Sequence, residues 1–338
     1  MRVLIVGAGI VGLSTAYALR KQGMDVIVVE RGTIPFAHAS SCDHHRLIRP
    51  FYGNAEGYCA RMAAASAAWS DMWQDLPRDE DDYYAKTGII SVCRSADDYT
   101  DQSRVVMEKL NIPFERIDAA AELDRRFPFL EIDPIEYLLL AEGGALMANR
   151  ILADLADWLR ANGVDIRELT PITDLNEAVG SATTAMGEVI EADQVLLAAG
   201  VETSQLIPDL KPMLLPTRSL ILYAEPPKDL APAWREAPCW NDLGGGSDLW
   251  GMCPINGLPA KLGNGDLGSA EAKDDRRTFS AEEAKAMLDS YRGYFKGADR
   301  FIPKWGQANY WTQAPKSKFY LEQRGKLLIV SALSLIHI

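Results

Sequence analysis

The sequence predicts an α/β protein in which a Rossmann-like, parallel-sheet domain is interleaved with an α+β domain built on an antiparallel sheet. Three observations carry that prediction. The chain opens MRVLIVGAGIVGLSTAYALRKQGMDVIVVE: an apolar run, a glycine-punctuated turn, a helical pattern and a second apolar run. Far downstream, EADQVLLAAGVETSQL repeats the same logic of apolar strand, tight Ala199-Gly200 turn and helix start. From Pro216 the pattern changes to alternating strands, LILYAE and DLWGMCPI, between Gly- and Pro-rich turns, which reads as antiparallel sheet.

The opening is the most specific stretch. Residues 2–6 are branched and apolar, as a strand buried on both faces requires. Gly7, Gly9 and Gly12 follow in the spacing G-x-G-x-x-G, then a helical pattern over 10–22, Gly23 as its stop, and a buried strand over 26–29 closed by Glu30. Gly7 makes the tight turn, Gly9 lets a pyrophosphate approach the backbone, and Gly12 lets helix and strand pack closely. The helix N-terminus offers unpaired N–H groups to phosphates. Glu30 suits a ribose diol and repels a 2′-phosphate. The unit is a Rossmann-like dinucleotide site. A secretory signal is excluded by the patterned glycines and the lack of a cleavage site before Arg20 and Lys21. A second G-x-G-x-x-G, at Gly263, Gly265 and Gly268, follows no apolar strand and leads into the polar run SAEAKDD, so it reads as chance.

Composition narrows the function. At 338 residues, with 48% hydrophobic and 24% charged content, the chain can bury an ample core. No apolar run reaches the length of a membrane span. A net charge of −12 argues against nucleic acid as the main partner. Five cysteines without a C-x-x-C, at 42, 59, 93, 239 and 253, fit a reducing cytoplasm better than disulfides or zinc. His38, His44 and His45 show no spacing that suggests a metal, and none is expected.

Taken in order, the segment RGTIPFAHASSCDHHRLIRPFYG lacks periodicity and bunches its polar groups. Arg46 and Arg49, beside two histidines in an acidic chain, form a local positive site that suits a carboxylate, although an ordinary surface turn is equally compatible on these residues alone. A helix is expected over 55–76, with Tyr58, Met62, Ala65, Trp69, Trp73 and Leu76 on its core face. Strands are expected at Ile89–Cys93, 137–140, 164–167, 195–198 and 326–331, and helices at 97–110, 119–125, 150–161 and, behind a Ser280/Glu283 capping box, 281–295. The expected domains are discontinuous: 1–85, 145–215 and 305–332 bind the nucleotide, while 86–144 and 216–304 form the substrate domain.

These residues resemble the FAD-dependent amine oxidases that include monomeric sarcosine oxidase and N-methyltryptophan oxidase, within the D-amino-acid-oxidase-like superfamily. The likeness rests on the opening fingerprint, RLIRPFYG, KTGII, LLAAG and LWGMCPINGLPAKLG. It implies FAD as cofactor, held by Gly7, Gly9, Ile10, Val11, Gly12, Glu30, Arg31, Ser40, Arg46, Ile172, Ala199 and Gly200. It implies Arg49 as binder of the substrate carboxylate, Arg46 as flavin neighbour, and Lys261 as the lysine that promotes reaction with oxygen. A lysine on a strand edge is the bland reading of Lys261.

The implied activity is oxidation of a secondary or primary amine of an amino acid to an imine, with hydrogen peroxide as second product, by a cytoplasmic monomer with no nucleic-acid or membrane partner. A dehydrogenase of the same fold using a quinone or carrier protein, or an inactive truncated flavin-binding fragment, are the alternatives; an NAD enzyme would not explain Arg46, Arg49 and Lys261 together. Three departures stand out. Asn309 occupies the place of a cysteine that binds FAD covalently in some relatives, so non-covalent FAD is expected. Gly265 replaces a histidine found in sarcosine oxidases, which suggests room for a larger amine. Residues 333–338 read LSLIHI, the translation of a common sequencing adapter, where the resemblance calls for a glycine-rich loop and helix; they are expected to be a non-native tail.

Overall fold

The computed structural model describes residues 1–268 and 277–332, so the expected tail and the polar run after Gly268 lie outside the described residues. Two large sheets organise the chain. The first has six strands in the order Tyr320–Arg324, Leu327–Ser331, Gln194–Leu197, Arg2–Val6, Asp25–Val29 and Asp165–Arg167. All its pairings are parallel except the antiparallel Tyr320–Arg324 edge.

Both faces of this sheet are covered, which is why its strands read as continuous apolar runs. Val3, Ile5, Val26 and Val28 pack on Leu13 and Ala16 of the helix Ile10–Lys21 and on Leu155 and Leu159 of the helix Ala148–Ala161. Leu4, Val6, Ile27 and Val29 face the other way, onto Ala182 and Ile190 of a three-stranded antiparallel sheet (Ile172–Asn176, Ser181–Thr184, Val189–Glu191). Each such side chain contributes roughly 1.5–3 kcal/mol of burial.

The second sheet has eight strands, in the order Ile302–Gln313, Leu215–Glu225, Ala260–Asn264, Leu249–Met252, Cys239–Asp242, Ile89–Cys93, Tyr137–Ala141 and Glu115–Ile117. Alternation along its strands sorts the side chains into two faces. Leu220, Leu222, Ala224, Ala260, Leu262 and Ala308 enter the large core with Trp234, Trp240 and Phe295. Tyr223, Lys261 and Trp305, which are cross-strand neighbours, present themselves on the opposite face. A small sheet of Arg46–Ile48, Gly144–Leu146 and Tyr84–Ala85 carries the arginine segment.

The sequence expectations differ from the structure at several ends. The helix expected over 55–76 divides into Glu56–Cys59 and Met62–Asp75, because the Arg61 N–H turns to the Tyr58 carbonyl at 3.1 Å and interrupts the regular ladder. The helix expected to reach 295 stops at Ser290, and Gly293, at φ 80°, then reverses the chain. After Gly200 there is only a short 3₁₀ turn and the helix Thr203–Leu206, which ends ahead of Pro208. The strand Ile302–Gln313 belongs entirely to the eight-stranded sheet and so straddles the division expected at 304/305.

Candidate active site

A cleft of about 270 Å³ opens where the six-stranded sheet meets the helix Ile10–Lys21. Gly7 turns the chain at φ 107°, and a Cβ there would lie 2.5 Å from the Ala198 carbonyl oxygen. A Cβ on Gly12 would fall 1.9 Å from the Gly7 oxygen, so helix and turn pack at backbone distance. Gly9 is the N-cap and brings no side chain to the first helical turn. The Ile10 N–H instead donates to Ser41 Oγ at 3.0 Å.

Glu30 is buried at the end of the second strand. Its Oε2 accepts from the Ala8 N–H at 2.8 Å and its Oε1 from the Gly32 N–H at 3.1 Å. Both oxygens are thereby fixed in place with lone pairs to spare for ribose hydroxyls. Of the residues the sequence put forward for the cofactor, Gly7, Gly9, Ile10, Val11, Glu30, Arg31, Ser40, Ile172, Ala199 and Gly200 line this cleft. Gly12 lies beneath it, and Arg46 borders an adjoining small pocket with Ile10 and Ser41. Ser41, Thr312 and Ser331 also line the cleft and were not foreseen. Thr312 Oγ1 and Ser331 Oγ are buried without a hydrogen-bond partner among the described residues, as expected of a wall that meets a polar ligand. The glycine turn, the bare helix terminus, Glu30 and these orphaned hydroxyls fit the pyrophosphate and ribose of a dinucleotide such as FAD.

A buried charge cluster joins the loop before Arg46 to the eight-stranded sheet. Asp43 Oδ2 accepts from Lys261 Nζ at 2.6 Å and also from the Arg46 guanidinium. Asp43 Oδ1 accepts from the Tyr223 hydroxyl at 2.6 Å and the His44 N–H at 2.7 Å. Lys261 donates further to the His45 carbonyl at 2.8 Å, and Arg46 to the Ser40 carbonyl at 2.6 Å. Lys261 and the Asp43 carboxylate are fully buried.

The electrostatics follow from that geometry. Burial pushes the Asp43 carboxyl up, but Lys261 and Arg46 beside it more than offset this and hold it far below the usual carboxylate range. Burial pushes the Lys261 ammonium down to about 8, against the opposing pull of Asp43. His45 is driven down to about 3 by burial and by Lys261, so its ring is neutral. Both of its ring nitrogens lack a partner among the described residues.

Arg49 is a further buried cation. Its Nε donates to the Phe51 carbonyl at 3.1 Å and its guanidinium lies 5.2 Å from the Tyr52 ring centre. No carboxylate lies within ion-pair distance of it among the described residues. Trp305, 38% exposed, stacks on Tyr223 at 4.7 Å with 19° between the planes, and His44 meets both rings edge-on. Asn309 is buried on the same strand as Trp305, with its Nδ2 unpartnered among the described residues.

The second glycine triplet serves sheet packing. A Cβ on Gly263 would lie 2.5 Å from the Trp250 ring, and one on Gly268 2.8 Å from the Arg218 oxygen. A Cβ on Gly265 would fall 1.6 Å from Asp248 Oδ2, so the room expected there for a larger amine is filled by Asp248.

Among the described residues no helix is long and apolar enough to cross a membrane, and no cluster of His, Cys, Asp and Glu could hold a metal ion. A parallel-sheet cleft that fits a dinucleotide and a buried charge cluster around Lys261 of the eight-stranded sheet together make up the candidate site. Residues 2–328 match the family of FAD dependent oxidoreductases, and the chain belongs to it.

A curated relative, N-methyl-L-tryptophan oxidase of Salmonella arizonae, is 24% identical over 284 residues, covering 82% of this chain and 74% of that protein. L-proline dehydrogenase of P. horikoshii superposes with a TM-score of 0.82 at 16% identity, over 99% of this chain and 89% of that one. The fructosamine oxidase Amadoriase II of Aspergillus fumigatus superposes at 0.78 and 18% identity, over 99% and 83%. These two likenesses establish the shared fold.

Proposed function

We propose that the chain is an FAD-dependent oxidase of a secondary or primary amine of an amino acid, working as a cytoplasmic monomer and yielding an imine and hydrogen peroxide. The observation that carries this reading is Arg49: a buried guanidinium without a carboxylate partner among the described residues. Burying an unpaired cation costs several kcal/mol, so such a group is retained where a ligand supplies the anion. A bidentate grip on the substrate carboxylate also fixes the carbon beside the nitrogen, and orientation of this kind is worth several kcal/mol. The curated relative's name, an oxidase of an N-methyl amino acid, points to the same substrate class.

FAD, when bound along Gly7 to Gly12 and Glu30, would take the hydride from that carbon and pass the electrons to oxygen. It would be held non-covalently, since Asn309 has no thiol. The substrate must bind as, or become, the neutral amine, and water hydrolyses the imine to an aldehyde or keto product. Lys261 contributes a buried positive charge from the facing sheet. Negative charge developing on oxygen is stabilised by such a preorganised donor, an effect on the order of 3 kcal/mol or about a hundredfold.

The test is a screen of N-methyl and cyclic amino acids with peroxide detection, followed by stopped-flow absorbance of the FAD-loaded protein. Lys261→Met should slow the oxygen phase about a hundredfold and spare the anaerobic substrate phase; Arg49→Ala should do the reverse. Turnover with a quinone dye but no peroxide in air would replace the oxidase with a dehydrogenase.

A further inference from the structure

Resting on the oxidase reading, and going beyond it, we propose that Asp43 is a positioning residue that keeps the Lys261 ammonium charged and aimed for the oxygen step. An ammonium with no exposed surface has no water to hold its proton. Asp43 is the one carboxylate within ion-pair distance of it among the described residues. The two residues are 218 positions apart in sequence, and the pair links the loop before Arg46 to the centre of the eight-stranded sheet.

Asp43 is built to stay where it is. Its two carboxylate oxygens accept from Lys261, Arg46, the Tyr223 hydroxyl and the His44 N–H, which fills the four lone-pair sites of a carboxylate. Its backbone is clamped as well: the Asp43 N–H donates to Asn149 Oδ1 at 2.9 Å and the Asn149 N–H to the Asp43 carbonyl at 3.1 Å. Asp43 and the His45 carbonyl take two of the three N–H bonds of Lys261. The third is left to point elsewhere, and with two bonds fixed its direction is set.

The charge balance matters as much as the aim. Asp43 faces two cations, so the cluster keeps one unmatched positive charge in a dry site. Of the other titratable groups around Lys261, Arg46 adds a like charge, His45 is neutral, and Tyr223 is pushed up by burial and by Asp43 and stays protonated. Cys239, pushed up by burial but brought below its ordinary value by hydrogen bonds with Cys253 and Thr87, acts on Lys261 in the same direction as Asp43 and more weakly. Without Asp43, burial and Arg46 together would strip the proton from Lys261 near neutral pH.

The experiment uses the FAD-loaded full chain carrying ¹³C-labelled lysine, with the Lys261 resonance assigned by its loss in Lys261→Met. In the parent, the resonance should titrate with a midpoint near 8; a midpoint below 7 would overturn the proposal without any Asp43 variant. Asp43→Asn should lower the midpoint by about 1–3 pH units, the range an opposite charge at this distance commands. The high-pH limit of the oxygen phase should fall by the same amount, and the anaerobic substrate phase should keep its pH profile. Asp43→Glu should restore the midpoint, which a lost structural staple would not do.

A variant that loses thermal stability but keeps the parent midpoint would make Asp43 a folding contact and overturn the proposal while leaving the oxidase reading intact. If Lys261→Met itself leaves the oxygen phase unchanged, Lys261 takes no part in that step and the proposal falls, while peroxide formation still decides the oxidase reading.

Discussion

Replacing Glu30 with Gln tests the nucleotide end of the site at the level of single hydrogen bonds. The carboxylate accepts two backbone N–H groups, one on each oxygen, from Ala8 and Gly32. An amide has one oxygen, so in either orientation its NH₂ faces one of those donors. A buried backbone N–H left without an acceptor costs about 1–3 kcal/mol. The ribose also loses a charged acceptor, and hydrogen bonds to charged groups contribute about 1.5–3 kcal/mol. The Kd for FAD should therefore rise about ten- to a hundredfold, and the FAD-free chain should itself unfold a few degrees lower. Quenching of flavin fluorescence on titration gives the first quantity and calorimetry without FAD the second. A lower melting temperature with unchanged affinity would assign Glu30 to the loop alone; no change in either would refute the reasoning from both bonds.

Three further outcomes are expected. Gly7→Ala should destabilise the chain by about 1–3 kcal/mol from its left-handed φ alone, and by more from the clash with the Ala198 oxygen, measured by urea unfolding. FAD should leave the protein on acid precipitation, and a flavin band persisting on a denaturing gel would contradict the role given to Asn309. Burial, with Asp98 and Asp248 nearby, pushes Asp242 up to about 7. A raised carboxyl favours the folded state while protonated, so its contribution is full below about pH 4 and is lost as pH rises through 7, at most about 4 kcal/mol. Asp242→Asn should flatten that part of the stability profile, and a uniform loss at every pH would count against the assignment.

What could be read from the chain alone was what is local. The glycine turn, its helix and Glu30 lie within one strand–helix–strand unit, and each glycine announces a backbone constraint that only glycine meets. Arg49 could be suspected because, with Arg46 and two histidines, it forms a local positive site in a chain of net charge −12. The partnership of Asp43 with Lys261 could not be seen, since it spans most of the sequence and is created by sheet order. Asp43 lies beside two histidines and draws no attention by type. Ser41 differs from its neighbour Ser40 only in which way the loop turns it, and no periodicity reports that. The filling of the Gly265 space by Asp248 depends on the register of two strands. Segment ends were missed for a related reason: the helix over 55–76 has an unbroken apolar stripe, yet one hydrogen bond at Arg61 divides it.

The order of the six-stranded sheet also bears on how the protein is made. The first strand pairs with Gln194–Leu197, which pairs in turn with Leu327–Ser331, and Gly7 and Ser331 both line the cleft. Two segments that line the cofactor site are thus made far apart in time, Gly7 before and Ser331 after nearly all the other described residues. At ordinary elongation speeds the interval is on the order of tens of seconds. During it the first strands can form their helix contacts, but the edge destined for Gln194–Leu197 stays open, and an open parallel edge is slow to close and prone to pair wrongly. The described cleft is therefore complete only once Leu327–Ser331 has been made, and the yield of folded protein should depend on FAD supply from that point on more than during early translation.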